Sequence, residues 1–306
     1  MKNYYLVCGL SLFLATAASG QSSPGANSAI LGCQRVQLTP GWQLMGVPFE
    51  PFAAAQGTVG AVQDNQLAVT CESGFGTNQW RGYQVRLTSG TAAGRQYLVI
   101  GNGVNSLTLS ANLSGSGIAT GDTYEVLPTV EEYLGPQLTG AANPANADSV
   151  ATDSTKQLTP LYRTTSGQWL NGQGQPAWLS VVSGQGFWIN PATSRSVLLM
   201  GRYQGDPGGV AVAAGRQVIS FPSSSASLTL ASLGWQGAIA GSTSDSSDQL
   251  SVWNDATGTF HTCWLNAATG QWVWQDTGEN AGSLELAGGQ GYLYQHVGNG
   301  FYLRWR

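Results

Sequence analysis

Few side chains in this chain could carry out bond-making chemistry. It has two histidines, His261 and His296, and both lie in aromatic, strand-like sequence where a hydrogen-bonded structural role is the commoner one. The nucleophile motif Gly-x-Ser-x-Gly, the zinc motif His-Glu-x-x-His and a glycine-rich phosphate loop before a lysine are absent from the sequence. The sequence therefore predicts no catalytic residue and no cofactor, and it favours a protein that is not an enzyme.

The acidic residues leave two alternatives open. Asp148 and Asp153 precede one Gln-Leu pair, and Asp245 and Asp248 precede another. Oxygen-rich loops of this kind can bind Ca²⁺, although aspartate more commonly caps a turn with its own side chain. A glycoside hydrolase would need two carboxyl groups facing each other across one bond. Because sequence does not show whether any of the 16 Asp and Glu residues converge, a secreted hydrolase remains the last alternative.

The 11 tryptophans suggest a binding surface or a core. Side chains alternate along a strand, so Trp272 and Trp274 point to one face of their strand, and Trp264 lies on the neighbouring strand. These three rings are our candidates for a platform on which sugars stack. Core packing is the commoner role, since each large ring fills much of a small β-module.

Cysteine pairing stays open. Apart from Cys8 near the N-terminus, the chain contains Cys33, Cys71 and Cys263. Export permits a disulfide, and an odd number leaves one thiol over. We prefer the pair Cys33–Cys71, because these two are closest in sequence and each borders a strand-like run.

The N-terminus and the charge content indicate export. Lys2, the apolar stretch from Tyr4 to Ala18 and the small residues up to Gly20 resemble a secretory signal peptide over residues 1–20. A buried N-terminal helix is the alternative. Only 9 % of the residues are charged, against about 25 % in a typical soluble domain. With two lysines and no basic run, a nucleic-acid partner is not expected, and no later segment is long and apolar enough to predict a membrane span.

Repeated landmarks predict two related modules. The segment Val36–Pro48 aligns without gaps on Val210–Pro222. Three further pairs follow in the same order. They are the threonine-capped turns Thr129–Gly135 and Thr229–Gly234, the runs from Gln157-Leu158 and from Gln249-Leu250, and Gly184-Gln-Gly-Phe-Trp188 with Gly289-Gln-Gly-Tyr-Leu293.

About seventy residues interrupt the first copy. They contain six short segments with period-2 alternation, separated by turns such as Asp64-Asn65, and this pattern is typical of a small barrel or sandwich. We therefore expect an all-β fold with two related sandwich- or barrel-like modules, the first interrupted by a small inserted barrel. The expected organisation is a signal peptide (1–20), a linker (21–32), a first module (33–56 and 129–205), a barrel (57–128) and a second module (206–306).

Two resemblances support this organisation. Gly41-Trp-Gln-Leu-Met-Gly-Val-Pro48, its counterpart ending at Pro222 and the Gly-Gln-Gly-aromatic segments resemble a widespread exported bacterial β-module. Its usual pattern is Gly-Trp-Asn-Leu-Ile-Ser-x-Pro followed by Gly-x-Gly-Tyr/Phe-Trp. The insertion, with Trp80–Gly90 and Gly121–Val126, is similar to the central part of an uncharacterised exported bacterial family. These resemblances imply a fold and export, and they carry no catalytic residue.

The function expected from the sequence is that of an exported, non-enzymatic structural or interaction protein of the cell surface or extracellular matrix. Its expected partners are other copies of itself, other extracellular proteins or glycans. The first alternative is a carbohydrate-binding protein that uses exposed tryptophans, and the second is a secreted hydrolase.

Overall fold

The computed structural model describes residues 30–71, 74–153, 158–203, 208–223, 228–254 and 257–305. The predicted signal peptide and most of the predicted linker lie outside the described residues. The first strand begins at Leu31, inside the last two residues of the predicted linker.

Within the described residues the fold is nearly all β, which confirms the expected fold class. The first strands are β1 (Leu31–Leu38) and β2 (Gln43–Gly46). Six strands follow: β3 (Ala55–Gln63), β4 (Gln66–Thr70), β5 (Gln84–Leu87), β6 (Gln96–Gly103), β7 (Ser106–Leu109) and β8 (Thr123–Val126). The chain continues with α1 (Val130–Leu134), β9 (Ser149–Asp153), β10 (Leu158–Arg163), β11 (Trp169–Leu170), β12 (Gly186–Asn190) and β13 (Arg195–Arg202). The last strands are β14 (Gly208–Val212), β15 (Gly215–Ser220), β16 (Gln249–Asn254), β17 (Thr259–Asn266), β18 (Gln271–Trp274), β19 (Gly291–His296) and β20 (Phe301–Trp305). No helix in the described ranges is long and apolar enough to cross a membrane.

The inserted segment forms a closed six-stranded barrel in the order β3-β4-β7-β6-β5-β8, with β8 pairing back onto β3. Alternate residues of each strand point inward, and Leu67, Val85, Leu107 and Tyr124 are among the buried interior side chains. Closure leaves the barrel without free strand edges. Asp64 takes the positive φ of 51° that its two-residue turn requires.

The two modules have the same connectivity. The first contains a five-stranded sheet in the order β11-β10-β9-β12-β2 and a two-stranded ribbon, β1-β13. The second contains the sheet β18-β17-β16-β19-β15 and the ribbon β14-β20. Each sheet packs one face against its own ribbon and short helical turn, which gives each module a separate apolar core.

One expected landmark pair is wrong. The run at Gln249 begins β16, and the strand in the same position of the first sheet is β9, which starts at Ser149. The run at Gln157-Leu158 leads instead into β10, the counterpart of β17. Successive strands of a meander have similar lengths and turns, so a short motif can be aligned one strand out of step.

The modules contact each other through paired backbone bonds. The Gly46 N–H donates to the Gly289 carbonyl at 3.0 Å, and the Ser220 N–H donates to the Gly184 carbonyl at 2.9 Å. Gly46 aligns with Ser220, and Gly289 aligns with Gly184. Exchanging the two modules therefore turns either bond into the other. The modules therefore meet across an approximate two-fold axis, and a further apolar cluster that includes Leu44, Trp188 and Leu293 fills this seam.

The seam explains the second glycine of each Gly-Gln-Gly motif. A Cβ on Gly186 would lie 2.6 Å from the Met45 carbonyl oxygen and 2.7 Å from Val218 Cγ1. A Cβ on Gly291 would lie 3.0 Å from the same oxygen. A side chain at Gly186 would collide both with its own sheet partner and with Val218 across the seam, and one at Gly291 would press on the first module, so glycine fits both positions.

Candidate functional site

The three candidate tryptophans do not form one platform. Trp272 is only 4 % exposed and belongs to the core of the second module. In the ladder Trp272 pairs with Leu265 and Trp274 with Cys263, whereas Trp264 pairs with Val273. Directly paired residues point to the same face of a sheet, so Trp264 lies on the opposite face from the other two. The three rings therefore do not form one stacking surface, and Trp272 packs in the core, which is the alternative that the sequence left open.

Trp274 already has a stacking partner. The His261 ring lies parallel to it, with ring centroids 3.8 Å apart, and His261 Nε2 is 3.1 Å from Asp276 Oδ1. The hydrogen bond from His261 holds the pKa of Asp276 below its usual value. One face of Trp274 is therefore occupied by an intramolecular contact.

Asp148 is fully buried and its carboxylate is satisfied by the protein. It accepts the N–H groups of Thr139 and Ala192, each at 2.7 Å, and pairs with Arg195 Nη1 at 3.0 Å. These groups use both carboxylate oxygens.

Asp248 is buried in the same way in the second module. It accepts the Ile239 N–H at 3.1 Å, the Val297 N–H at 3.0 Å and the Tyr294 hydroxyl at 2.6 Å, and His296 Nδ1 lies 2.8 Å away. Burial, followed by the hydrogen bond to Asp248, raises the pKa of Tyr294. Both histidines of the chain thus lie in strands and have an aspartate partner.

The calcium alternative has no support in this geometry. Asp148 and Asp248 lie in different modules, Asp245 is exposed in a short turn, and the side chain of Asp153 lies outside the described part. In that part no three His, Cys, Asp or Glu side chains gather to hold a metal ion. The two buried aspartates instead accept hydrogen bonds from backbone N–H groups of nearby loops, which is the capping role that the sequence offered as the commoner one.

The preferred disulfide is not made, and Cys33, Cys71 and Cys263 are all free thiols. Cys33 lies on the β1-β13 ribbon opposite Met200, whereas Cys71 follows β4 in the barrel, with Sγ 4.0 Å from the Val104 carbonyl oxygen. The insertion therefore carries Cys71 into a different packing unit, although the two residues are close in sequence. Burial raises the pKa of Cys263 to about 12.

Four charged residues meet where the barrel joins the first module: Glu50 and Arg202 from the first module, and Arg86 and Glu125 from the barrel. Gly32 and Gly201 lie opposite each other in the β1-β13 ribbon, and a side chain on either would collide with Phe49. Phe49 fills the space that these glycines leave. Glu50 follows, and its backbone pairs with that of Arg202 through bonds of 3.0 and 2.8 Å.

The barrel supplies the other two charges. Arg86 on β5 and Glu125 on β8 are direct ladder partners on the outer face of the barrel. Arg86 Nε donates to Glu125 Oε1 at 2.6 Å, and Arg86 Nη2 contacts the carboxylates of both Glu125 and Glu50. Burial alone would lower the pKa of Arg86, but the two carboxylates outweigh it and raise the pKa. Arg86 thus links the barrel to the first module.

These residues line an open groove of about 680 Å³ between the barrel and the first module, which we call the junction groove. Its remaining lining residues are Gln56, Gly57, Thr58, Thr88, Thr123, Tyr124 and Tyr203. The arrangement can form hydrogen bonds with both donors and acceptors. Glu50 and Glu125 both bind the guanidinium of Arg86, so the three side chains form one charged cluster on the groove wall.

Sequence reasoning did not identify the junction groove. In the sequence, Arg86 and Glu125 lie within strand-like segments, and Glu50 and Arg202 lie outside the repeated segments, so nothing local marks them as neighbours. The available signal was the scarcity of charge: in a chain with 12 Lys and Arg and 16 Asp and Glu, charges at alternate, half-buried strand positions need partners.

In comparisons with protein families, with curated proteins and with solved structures, nothing matches this chain. The resemblance to an exported β-module therefore stays a prediction.

Proposed function

We propose that this chain is an exported, non-enzymatic structural or interaction protein of the cell surface or extracellular matrix. In this proposal its two modules are copies of one bacterial β-unit, and together they present the inserted barrel. The shared connectivity of the modules and the seam between them support this reading.

The observation that carries the proposal is an apolar stripe on the barrel. Leu98 and Ile100 on β6 are 43 % and 45 % exposed, and Val104, just after this strand, is 60 % exposed. Single exposed apolar residues are ordinary, but neighbouring ones on one strand are typical of contact surfaces. The chain carries few charges, so contacts at this stripe rest on apolar burial and neutral hydrogen bonds.

Sedimentation velocity of the full chain over a concentration series tests the proposal. We expect self-association that changes little between about 0.05 and 0.5 M salt, because screening weakens charge–charge contacts and leaves apolar ones. The double variant Leu98→Ser/Ile100→Ser should weaken the association. Its matched control, Ile239→Ser, removes an exposed apolar side chain from the second module and should leave the association intact.

A monomer at every concentration would remove the self-assembly reading, and dissociation at high salt would contradict its apolar basis. Turnover of a polysaccharide or peptide library by the purified chain would overturn the non-enzymatic assignment.

A further inference from the structure

We propose that the junction groove binds a neutral ligand with adjacent hydroxyl groups, of which a short uncharged glycan is the natural class. This inference goes beyond the proposed structural role and does not depend on it. It also replaces the tryptophan platform as the place where a sugar would bind.

The first argument is unused hydrogen-bonding capacity. Arg202 Nη2 lies 3.8 Å from Glu125 Oε2, beyond the roughly 3.2 Å limit of a good hydrogen bond. Arg202 Nε is buried and finds no acceptor among the described residues, so the ligand would be bound by the outer nitrogens of this guanidinium. Glu125 uses its other oxygen, Oε1, for Arg86. The groove therefore places a guanidinium and a carboxylate side by side without a direct hydrogen bond between them.

The second argument is the balance of charge. The groove contains two carboxylates, Glu50 and Glu125, and two guanidinium groups, Arg86 and Arg202. An anionic ligand would meet the carboxylates and a cationic one would meet the guanidiniums, so neither gains a net attraction. A hydroxyl group suits both, because it can accept from Arg202 while it donates to Glu125.

The third argument is the groove wall. Thr58 on β3, Thr123 on β8 and Thr88, just after β5, are exposed, and the hydroxyls of Thr88 and Thr123 lie 2.7 Å apart. With the amide of Gln56 they provide neutral donors and acceptors along the groove. These are the groups that can exchange hydrogen bonds with a row of sugar hydroxyls.

The fourth argument is the aromatic ring at the same groove. Tyr203 lines it next to Arg202, and the Tyr203 N–H donates to the Ile30 carbonyl at 2.7 Å, which fixes its backbone. The ring is half-buried, so part of it remains available. An aromatic ring beside polar groups matches a sugar, which has an apolar C–H face and a polar rim.

Titration calorimetry with the full chain tests the inference. The probes are maltose, cellobiose and diacetylchitobiose, with glucuronate and glucosamine as charged comparators. We expect at least one neutral disaccharide to bind with a dissociation constant of about 1 mM or tighter, and the charged comparators to bind more weakly.

Two variants locate the site. Arg202→Met should weaken binding about tenfold or more, because a charged hydrogen-bond donor is lost, and Tyr203→Ala should weaken it by a similar factor. The matched controls are Arg304→Met and Tyr302→Ala, which change an exposed Arg–Tyr pair on the second module and should leave binding unchanged. A circular dichroism spectrum and melting curve of each variant verify that it is folded. If Arg202→Met does not fold, Tyr203→Ala alone locates the site.

Three results would overturn the inference. They are no binding of any neutral probe at millimolar concentration, tighter binding of glucuronate or glucosamine than of every neutral probe, and equal losses in the groove variants and their controls. Because the assay measures binding of small sugars, its outcome is separate from self-association.

Discussion

Asp148 and Asp248 occupy the same position in the two modules. The backbone N–H of each donates to the carbonyl of the residue nine positions earlier, Thr139 or Ile239, and the side chain of each accepts the N–H of that same residue. The Asp148 carbonyl accepts the Arg163 N–H and the Asp248 carbonyl accepts the Leu265 N–H, both at 3.1 Å. The basic side chain beside the carboxylate differs, since Arg195 faces Asp148 and His296 faces Asp248.

Replacing either aspartate should therefore destabilise the protein strongly. In Asp148→Asn or Asp248→Asn, a buried carboxylate that accepts several hydrogen bonds is lost, and Arg195 or His296 loses its carboxylate partner. We expect each to lower the free energy of unfolding by about 3 kcal/mol or more, measured by urea denaturation. Asp245→Asn, in an exposed turn, should change it by less than about 0.5 kcal/mol.

The same aspartates predict insensitivity to chelation. Their oxygens are filled by N–H, O–H and cationic groups of the protein, so we expect EDTA to leave the melting temperature unchanged. A melting temperature that fell in EDTA and recovered with Ca²⁺ would contradict this assignment.

The seam predicts a strict requirement for glycine at position 186. In Gly186→Ala the new methyl group would press on the Met45 carbonyl and Val218, and we expect a loss of about 1–3 kcal/mol from overpacking. Gly172→Ala is the matched control, since a Cβ there meets nothing within 4 Å. Equal stability of the two variants in urea would contradict the close contacts of Gly186 with Met45 and Val218.

Two tryptophans at corresponding positions should differ in how much their indole N–H group contributes to the free energy of unfolding. Trp169 Nε1 donates to Glu131 at 2.9 Å. At the corresponding place of the second module Ala231 replaces Glu131, and Trp272 Nε1 has no partner among the described residues. Trp169→Phe should therefore cost about 1 kcal/mol more than Trp272→Phe, because the ring loss is shared and only one variant loses a hydrogen bond. Equal costs in urea denaturation would contradict this difference.

The thiols should differ in reactivity and in their response to pH. Alkylation at pH 8 followed by peptide mass spectrometry should label Cys33 and Cys71 and spare Cys263, whose pKa is raised to about 12 by burial. A folded pKa above the unfolded value means that Cys263 contributes its stability below about pH 8.5, and that this contribution is lost as the pH rises toward 12. In denaturant all three should react, and early labelling of Cys263 in the folded protein would contradict its burial.

Much of the fold could be predicted from local patterns. Alternation and turn glycines located the barrel strands and the meander β16 to β18, and Gly258 and Gly270 have the positive φ of 65° that the hairpins require. The alignment of Val36–Pro48 with Val210–Pro222 places β2 on β15, in agreement with the shared connectivity. Patterns of this kind succeed because side-chain direction and turn type depend on nearby residues.

The candidate site could not be predicted in this way. The faces of Trp264 and Trp272 depend on how two strands are paired, and the meeting of Glu50 with Arg86 depends on how a barrel sits on a module. The strands and their turns can be predicted from local sequence, because they follow from short-range periodicity and backbone sterics. The charges that share a groove and the rings that are buried depend on the folded arrangement, because those contacts join residues that are distant along the chain.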